Sequence, residues 1–441
     1  MIQVAPQIKL KDFARAGRVY APRRVALTGM RWMIEAESSD GHILWKDFPA
    51  SHGLYTPCIY DPATRAVEGI AGFEWWSDPL KTPLETPRLE NTNIKVHRRR
   101  DHCSWIVLNT LDTIFGHSLL LLFNAQFYLE RFPQHGLIVV ATPELMRYIP
   151  QNVAEIWEVQ CAPRDTERWH TKLEALFAER CQTSEVWIAS APNHPDPSRY
   201  DIRTFGLAPA QATSRNPSAP RIVFVYRGTR LWGGSWAEER SRLARLGHWL
   251  HQFWPRAILE IVGHARLSSN VEGWTDATRK NESDYDARLL EFLAGADLVL
   301  GAHGSSQLLP TAVARLLIEL VPLDKQPSLL QDFLFDATSG NLRQHLWRRR
   351  FLYGNSTLND ISPRQVAQLI NAMISMQAQF DFYQGADESD PLRDYEEMER
   401  AFAGEIAPQI DAWRARLEST LRLGPKARLG QFLRRMAAKL D

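Results

Sequence analysis

Ala296-Asp297-Leu298-Val299-Leu300-Gly301-Ala302-His303-Gly304-Ser305-Ser306-Gln307 is the stretch on which the reading of the fold turns. Its first half reads as a strand over Asp297 to Leu300, because a strand covered by helices on both faces is continuously apolar instead of alternating. The strand ends in small residues, and the glycines flanking His303 permit unusual backbone dihedrals and a close approach to a ligand. In open α/β sheets ligands sit in the crevice at such carboxyl ends. The hydroxyls of Ser305 and Ser306, with the free amides of a following helix start, suit an anionic phosphate. His303 is a candidate to donate to a diphosphate oxygen or to move a proton. In isolation the same turn also fits a structural histidine in a tight bend.

Outward from this stretch the chain keeps a β-α rhythm. A strand over Arg221 to Tyr226 precedes a helix over Trp236 to Phe253, a strand over Ala257 to Val262 and a helix over Asp286 to Leu293. After Gln307 a helix begins near Pro310, and Asp360-Ile361-Ser362-Pro363 reads as a capped start for a helix carrying Val366, Leu369, Ile370 and Met373 on one face. Upstream, strands are expected over Ser104 to Leu108, Leu137 to Ala141 and Glu185 to Ala189, with a helix from Gly116-His117 to about Arg131. Thr142-Pro143-Glu144 supplies an N-cap, a first-turn proline and an early acid for a helix over Glu144 to Tyr148. Alternation of this kind indicates parallel sheets. The chain divides into an irregular β-rich segment over 1–100, a Rossmann-like domain over 101–200, a Pro-rich linker over 201–220, a second Rossmann-like domain over 221–376 and a helical appendage over 377–441.

Composition sets the outer limits. With 441 residues, 44% hydrophobic and 23% charged, the chain has ample apolar material for more than one core. Fifty-two basic residues against 51 acidic ones leave a net charge of +1, so no overall field recruits nucleic acid. Cys58, Cys103, Cys161 and Cys181 are scattered, without a C-x-x-C pair, and read as reduced thiols of a cytoplasmic protein. The first twenty residues are broken by Pro6 and by charges, so no export signal is expected, and the apolar run around Ser118 to Phe123 is far short of the roughly 20 residues of a membrane span. No Gly-x-Gly-x-x-Gly or P-loop motif occurs, which removes the main support for hydride transfer and triphosphate hydrolysis, and there is no His-Glu-x-x-His helix and no strand-end Asp-x-Asp of the kind a metal-dependent, single-domain sugar transferase needs. The basic runs His97 to His102 and Arg348 to Arg350 read as solvated surface. The stretch from Arg414, with Arg416, Arg422, Lys426, Arg428, Arg434, Arg435 and Lys439 among leucines, Phe432 and Met436, reads either as a peripheral contact to the inner face of an anionic membrane or as a helix packed back on the protein.

The run from Arg221 to Leu323 resembles the C-terminal half of family 61 glycosyltransferases. The resemblance rests on Phe224-Val225-Tyr226-Arg227-Gly228-Thr229-Arg230, on the strand and turn Leu298 to Gln307, and on Leu317-Ile318-Glu319-Leu320-Val321-Pro322. Ile114-Phe115-Gly116-His117-Ser118-Leu119 is similar to a degraded form of that family's N-domain histidine motif. The resemblance implies a GT-B arrangement, two Rossmann-like domains facing a cleft. It implies transfer of a sugar from a nucleotide-diphosphate donor to a glycan or lipid-linked acceptor, usually with inversion, with no cofactor beyond the donor and no obligatory metal. The residues suit that chemistry. Arg227 and Arg230, at a strand's carboxyl end, are placed to stabilise a leaving diphosphate, since guanidinium binds phosphate bidentately and stays charged. Gly301, His303, Gly304, Ser305 and Ser306 form the expected donor turn, and Glu319 is a candidate for ribose hydroxyls.

Two departures stand out. Ser305-Ser306-Gln307 stands where family members commonly carry Ala-Gly and then a short polar pair after the His-Gly turn. Leu119 to Leu122 occupies the place where an Asp usually follows the N-domain motif, so the base cannot be carried over. Asp112, His117 and His303 are the candidates for the group that removes the acceptor proton. A non-catalytic nucleotide-sugar binder of the same descent, and a transferase of another group such as pyruvyl to a glycan, are the alternative readings.

Overall fold

The computed structural model describes residues 3–4, 11–48, 58–69, 74–192, 195, 200–207, 218–279, 285–326, 334, 348–384, 408, 412 and 415. The architecture is mixed α/β, with three six-stranded sheets among the described residues. The chain divides into two compact units, Met1–Ala208 with Leu330–Gly340, and Pro209–Leu329 with Asn341–Asp441.

The N-terminal unit begins with β1 (Gln3–Val4) and continues as an antiparallel meander, β2 (Phe13–Arg15), β3 (Arg18–Leu27), β4 (Trp32–Ser38), β5 (Ile43–Asp47), β6 (Ile59–Asp61) and β7 (Ala66–Glu68). Two short helices, α1 (Glu74–Ser77) and α2 (Lys81–Glu85), lead to β8 (Asn93–Arg98), β9 (Ser104–Asn109), α3 (Phe115–Arg131), β10 (Gly136–Ala141), β11 (Glu155–Gln160), α4 (Thr171–Thr183) and β12 (Glu185–Ile188). These strands form a sheet in the order β1-β12-β9-β10-β11-β8, parallel except for β8. Trp105 to Leu108 and Leu137 to Ala141 are buried without a break.

The described residues of 1–100 are therefore not a separate irregular segment. Their meander shares one apolar core with β9, β10 and α4, where Trp32 meets Phe177 edge to face at 4.9 Å and Trp45 meets Trp169 at 5.2 Å. β1 and β8 are the two edges of the parallel sheet. The missed signal is register: strands of two and six residues far from their partners in sequence carry little periodicity of their own. Two other readings change. Pro143–Tyr148 is a 3-10 helix, and Thr142 makes no capping bond through its side chain. The expected linker opens with an ordered turn over Ile202–Phe205, in which Phe205 packs on Phe123 at 4.7 Å.

The C-terminal unit holds β13 (Arg221–Val225), α5 (Trp236–Phe253), β14 (Ile258–Val262), β15 (Thr275–Asp276), α6 (Tyr285–Gly295), β16 (Leu298–Ala302), α7 (Leu308–Val313), β17 (Leu317–Pro322), β18 (Arg349–Gly354) and α8 (Pro363–Gln384). All six strands are parallel, in the order β15-β14-β13-β16-β17-β18. Counted within the unit this is 3-2-1-4-5-6, the order of doubly wound sheets, and it reverses between β13 and β16. α5 starts at Ser235, whose Oγ accepts the Glu238 N–H at 3.3 Å. It buries Leu243, Leu246, Leu250 and Phe253 against the sheet and α8. α8 starts with a reciprocal capping box, Gln365 N–H to Ser362 Oγ at 3.2 Å and Ser362 N–H to Gln365 Oε1 at 3.1 Å. Arg349 to Gly354 continue β17's sheet, so Arg348 to Arg350 is not a surface run: Arg349 is buried. The basic stretch from Arg414 lies outside the described residues except for Ala415.

Candidate functional site

The sheet order brings the sequence-distant donor residues together. β13 and β16 are hydrogen-bonded neighbours with Val225 paired to Gly301, so the chain leaving β13 and the turn leaving β16 emerge side by side. Arg227 and Arg230 both donate from Nη1 to the carbonyl oxygen of His303, Arg227 at 3.3 Å. Two guanidinium groups 76 and 73 residues away in sequence thus converge on the Gly301 to Gly304 turn, at the point where strand order reverses and ligands of open sheets bind.

Two glycines are required there for different reasons. Gly304 has φ +138° and ψ −178°, a region essentially closed to other residues, and a Cβ on it would lie 1.6 Å from Arg227 Nη1. At Gly301 the obstacle is space, since a Cβ would lie 2.2 Å from Gln307 Nε2 and 3.0 Å from the Val225 carbonyl. Ser305 and Ser306 open a 3-10 turn ahead of α7, with Gln307 N–H bonded to Gly304 O at 2.7 Å. Among the described residues Ser306 Oγ and Gln307 Oε1 are buried without a hydrogen-bond partner.

His303 and Glu319 do not face solvent. Both are 1% exposed, and His303 Nδ1 stands 3.0 Å from Glu319 Oε2. The carboxylate expected to meet ribose is engaged by the imidazole, and the imidazole expected to meet phosphate is covered; what His303 offers the turn is its main-chain carbonyl. Sequence reading missed Arg349, which pairs with Leu317 at the start of β18 and donates to the Thr311 carbonyl. Burial pushes Arg349 down to about 9, with the Glu319 charge opposing that fall, so the guanidinium remains protonated at neutral pH.

The loop carrying the arginines is anchored from behind. Trp232 N–H donates to Glu239 Oε1 at 2.9 Å, Trp232 Nε1–H to Ile361 O at 3.1 Å and Gly233 N–H to Thr357 O at 2.8 Å. Glu239 is buried at the start of α5, and burial pushes its carboxyl up to about 8 against the pull of the Trp232 N–H.

In the N-terminal unit Asp112 and His117 come together at the carboxyl end of β9. The sheet order steps there from β9 outward to β12 on one side and to β10 on the other, which makes it that sheet's reversal point. Asp112 is buried, accepts the Ile114 N–H at 2.8 Å and lies 3.5 Å from His117 Nδ1. His117, in the first turn of α3, keeps a quarter of its side chain exposed. A buried carboxylate behind a partly exposed imidazole is the arrangement that fixes a ring's tautomer and steadies its protonated form.

Among the described residues no three His, Cys, Asp or Glu side chains gather as a metal cluster, and no helix is long and apolar enough to cross a membrane.

No family model and no curated protein matches the chain. Solved structures do. The Escherichia coli heptosyltransferase WaaC with ADP is 14% identical, with 62% of this chain and 98% of that one aligned at a TM-score of 0.37. The E. coli ADP-heptose heptosyltransferase II of lipopolysaccharide gives 14%, 62%, 99% and 0.38. The iron-containing dodecameric glycosyltransferase TibC of enterotoxigenic E. coli gives 15%, 84%, 97% and 0.31. These neighbours are glycosyltransferases, and they do not single out family 61. At such scores they carry no weight for this chain's activity.

Proposed function

We propose that this protein is a glycosyltransferase that moves a sugar from a nucleoside-diphosphate donor to a glycan or lipid-linked acceptor, with inversion and without a metal. The observation that carries the reading is the convergence of Arg227 and Arg230 on the Gly301 to Gly304 turn at the reversal of strand order. In such a transfer the acceptor oxygen forms its bond to the anomeric carbon as the bond to the diphosphate oxygen breaks, and the electron pair leaves with the diphosphate. Charge therefore grows on phosphate oxygens, where two guanidinium groups stabilise it in place of a metal. The hydroxyl proton needs an acceptor, and His117, backed by Asp112, is the group we assign to it. His303 is too deeply buried to serve.

Purified protein incubated with a panel of nucleotide sugars should release one nucleoside diphosphate slowly by hydrolysis and faster once an acceptor is added. His117→Ala should lower that release about 10²–10⁴-fold while leaving nucleoside-diphosphate affinity unchanged. Release undiminished in His117→Ala removes the dyad from the mechanism. Binding without release from any sugar nucleotide favours the non-catalytic binder. We place the enzyme in the cytoplasm and assign the basic stretch after Arg414 to contact with an anionic membrane; equal liposome sedimentation with and without that stretch would discard the contact.

A further inference from the structure

The face of the sheet beneath the donor turn is polar, which is unusual for strands buried on both sides. In the parallel register Gly301 pairs with Glu319 and Ala302 with Leu320. Side chains two apart along a strand share a face, so Gly301, His303 and Glu319 lie on one face, and the missing side chain at Gly301 leaves room there. That room is filled by the Gln307 amide, while the Glu319 carboxylate reaches His303 Nδ1 at 3.0 Å. On the neighbouring strand β18 stands buried Arg349, whose guanidinium holds the Thr311 carbonyl. Glu319 and His303 form a pair that is hidden from solvent and ends at the residue whose carbonyl collects both donor arginines.

Taking a carboxylate and a guanidinium out of water is costly, and an apolar pair of the same volume is often the more stable choice. A buried carboxylate at this place instead fixes geometry. With the proton on Nδ1 the Glu319 carboxylate accepts from the ring, and the imidazole cannot rotate without breaking that buried bond. His303 N–H is bonded to Leu320 O at 2.9 Å, so ring and main chain are both pinned and the carbonyl is held where Arg227 and Arg230 meet it.

We infer that Glu319 is a positioning residue for the diphosphate site, acting through His303 and the carbonyl that gathers Arg227 and Arg230, and that it does not touch the donor's ribose. The inference rests on the donor reading given above, and the two fail differently. Glu319→Gln keeps size and one acceptor oxygen but removes the charge. Binding of ADP, GDP, UDP and CDP is measured by calorimetry, and inorganic pyrophosphate is measured by competition against the tightest of them. A positioning residue weakens the nucleotide and pyrophosphate by the same factor, about tenfold or more for a lost buried charge-assisted bond. A ribose contact weakens the nucleotide alone, and that result overturns the inference, as does unchanged binding of both. Should the wild-type protein bind neither, the donor reading falls. The histidine tautomer decides the pairing even where Glu319→Gln does not fold. Nitrogen-15 spectra of the wild-type protein, with His303 assigned by His303→Gln, should show the proton on Nδ1; a proton on Nε2 alone removes the Glu319 contact and the inference with it.

Discussion

Replacing Gly304 by alanine is the perturbation that bears hardest on the donor turn. At φ +138° and ψ −178° the residue sits where an L-residue is held only at a cost of about 1–3 kcal/mol. The added methyl would also lie 1.6 Å from Arg227 Nη1 and 3.0 Å from Arg230 Nη1. Because a guanidinium is the end of a flexible chain, it swings aside, and the collision itself costs little stability. What it removes is position. Arg227 leaves the His303 carbonyl and the line along which a phosphate would meet it. A hydrogen bond to a charged group is worth about 1.5–3 kcal/mol, equivalent to about 10- to 100-fold in affinity. Gly304→Ala should therefore melt about 2–10 °C lower than the wild type and bind a nucleoside diphosphate at least about tenfold more weakly. Gly17→Ala is the control: its φ is +78° with open space around the added Cβ, so it carries strain of about 1–2 kcal/mol without displacing a side chain, and its nucleotide affinity should equal that of the wild type. Scanning fluorimetry gives the melting points and calorimetry the affinities. If Gly304→Ala binds the diphosphate within about twofold of wild type, the argument from Arg227's position is wrong.

Other outcomes follow from buried charges. Glu239 is protonated in the folded state up to about pH 8, whereas an unfolded chain releases that proton near the ordinary glutamate value. Across that window the folded state binds more protons, so stability falls as pH rises, by at most on the order of 5 kcal/mol. Glu239→Gln keeps an acceptor for the Trp232 N–H and has no proton to lose, so its urea-unfolding advantage over wild type should grow from acid to mildly alkaline pH; a constant difference would contradict the assignment. Arg31→Met strands the Asp47 carboxylate, its partner at 3.2 Å in a pair 2% and 4% exposed, and should cost about 3–5 kcal/mol. Arg31→Met with Asp47→Leu should restore most of it, and a double variant as unstable as the single one would show that packing, not charge, sets the loss. Asp112→Asn should slow transfer without weakening donor binding, and a matching loss of donor affinity would count against its role behind His117.

What the sequence made legible was local. The helix Trp236 to Phe253 lies where its apolar spacing puts it, and the continuous runs at Ser104 to Leu108 and Leu298 to Leu300 pair in parallel with their neighbours. Less legible was anything that depends on partners chosen at long range. Nothing in Asn93 to Arg98 says that it pairs antiparallel with β11, and nothing in Arg348 to Arg350 distinguishes a surface run from a strand whose middle guanidinium is buried. At the candidate site the arginines and the turn were visible as separate motifs. Their meeting at the His303 carbonyl depends on β13 and β16 being neighbours, which only strand order decides. The pairing of His303 with Glu319 was hidden for the same reason, since a carboxylate at a strand end looks alike in sequence whether it faces a ligand or an imidazole. Asp112 and His117 are only five positions apart, yet their approach needs the bend between β9 and α3.

The most direct test of the central claim is a calorimetric titration of the wild-type protein and of Arg227→Ala with Arg230→Ala, using the tightest-binding nucleoside diphosphate. The wild type should bind at one site, and the double variant should lose about 100-fold or more in affinity while its melting point without nucleotide stays close to that of the wild type. Equal binding by the two proteins would place the diphosphate somewhere other than the carboxyl ends of β13 and β16 and would contradict the account.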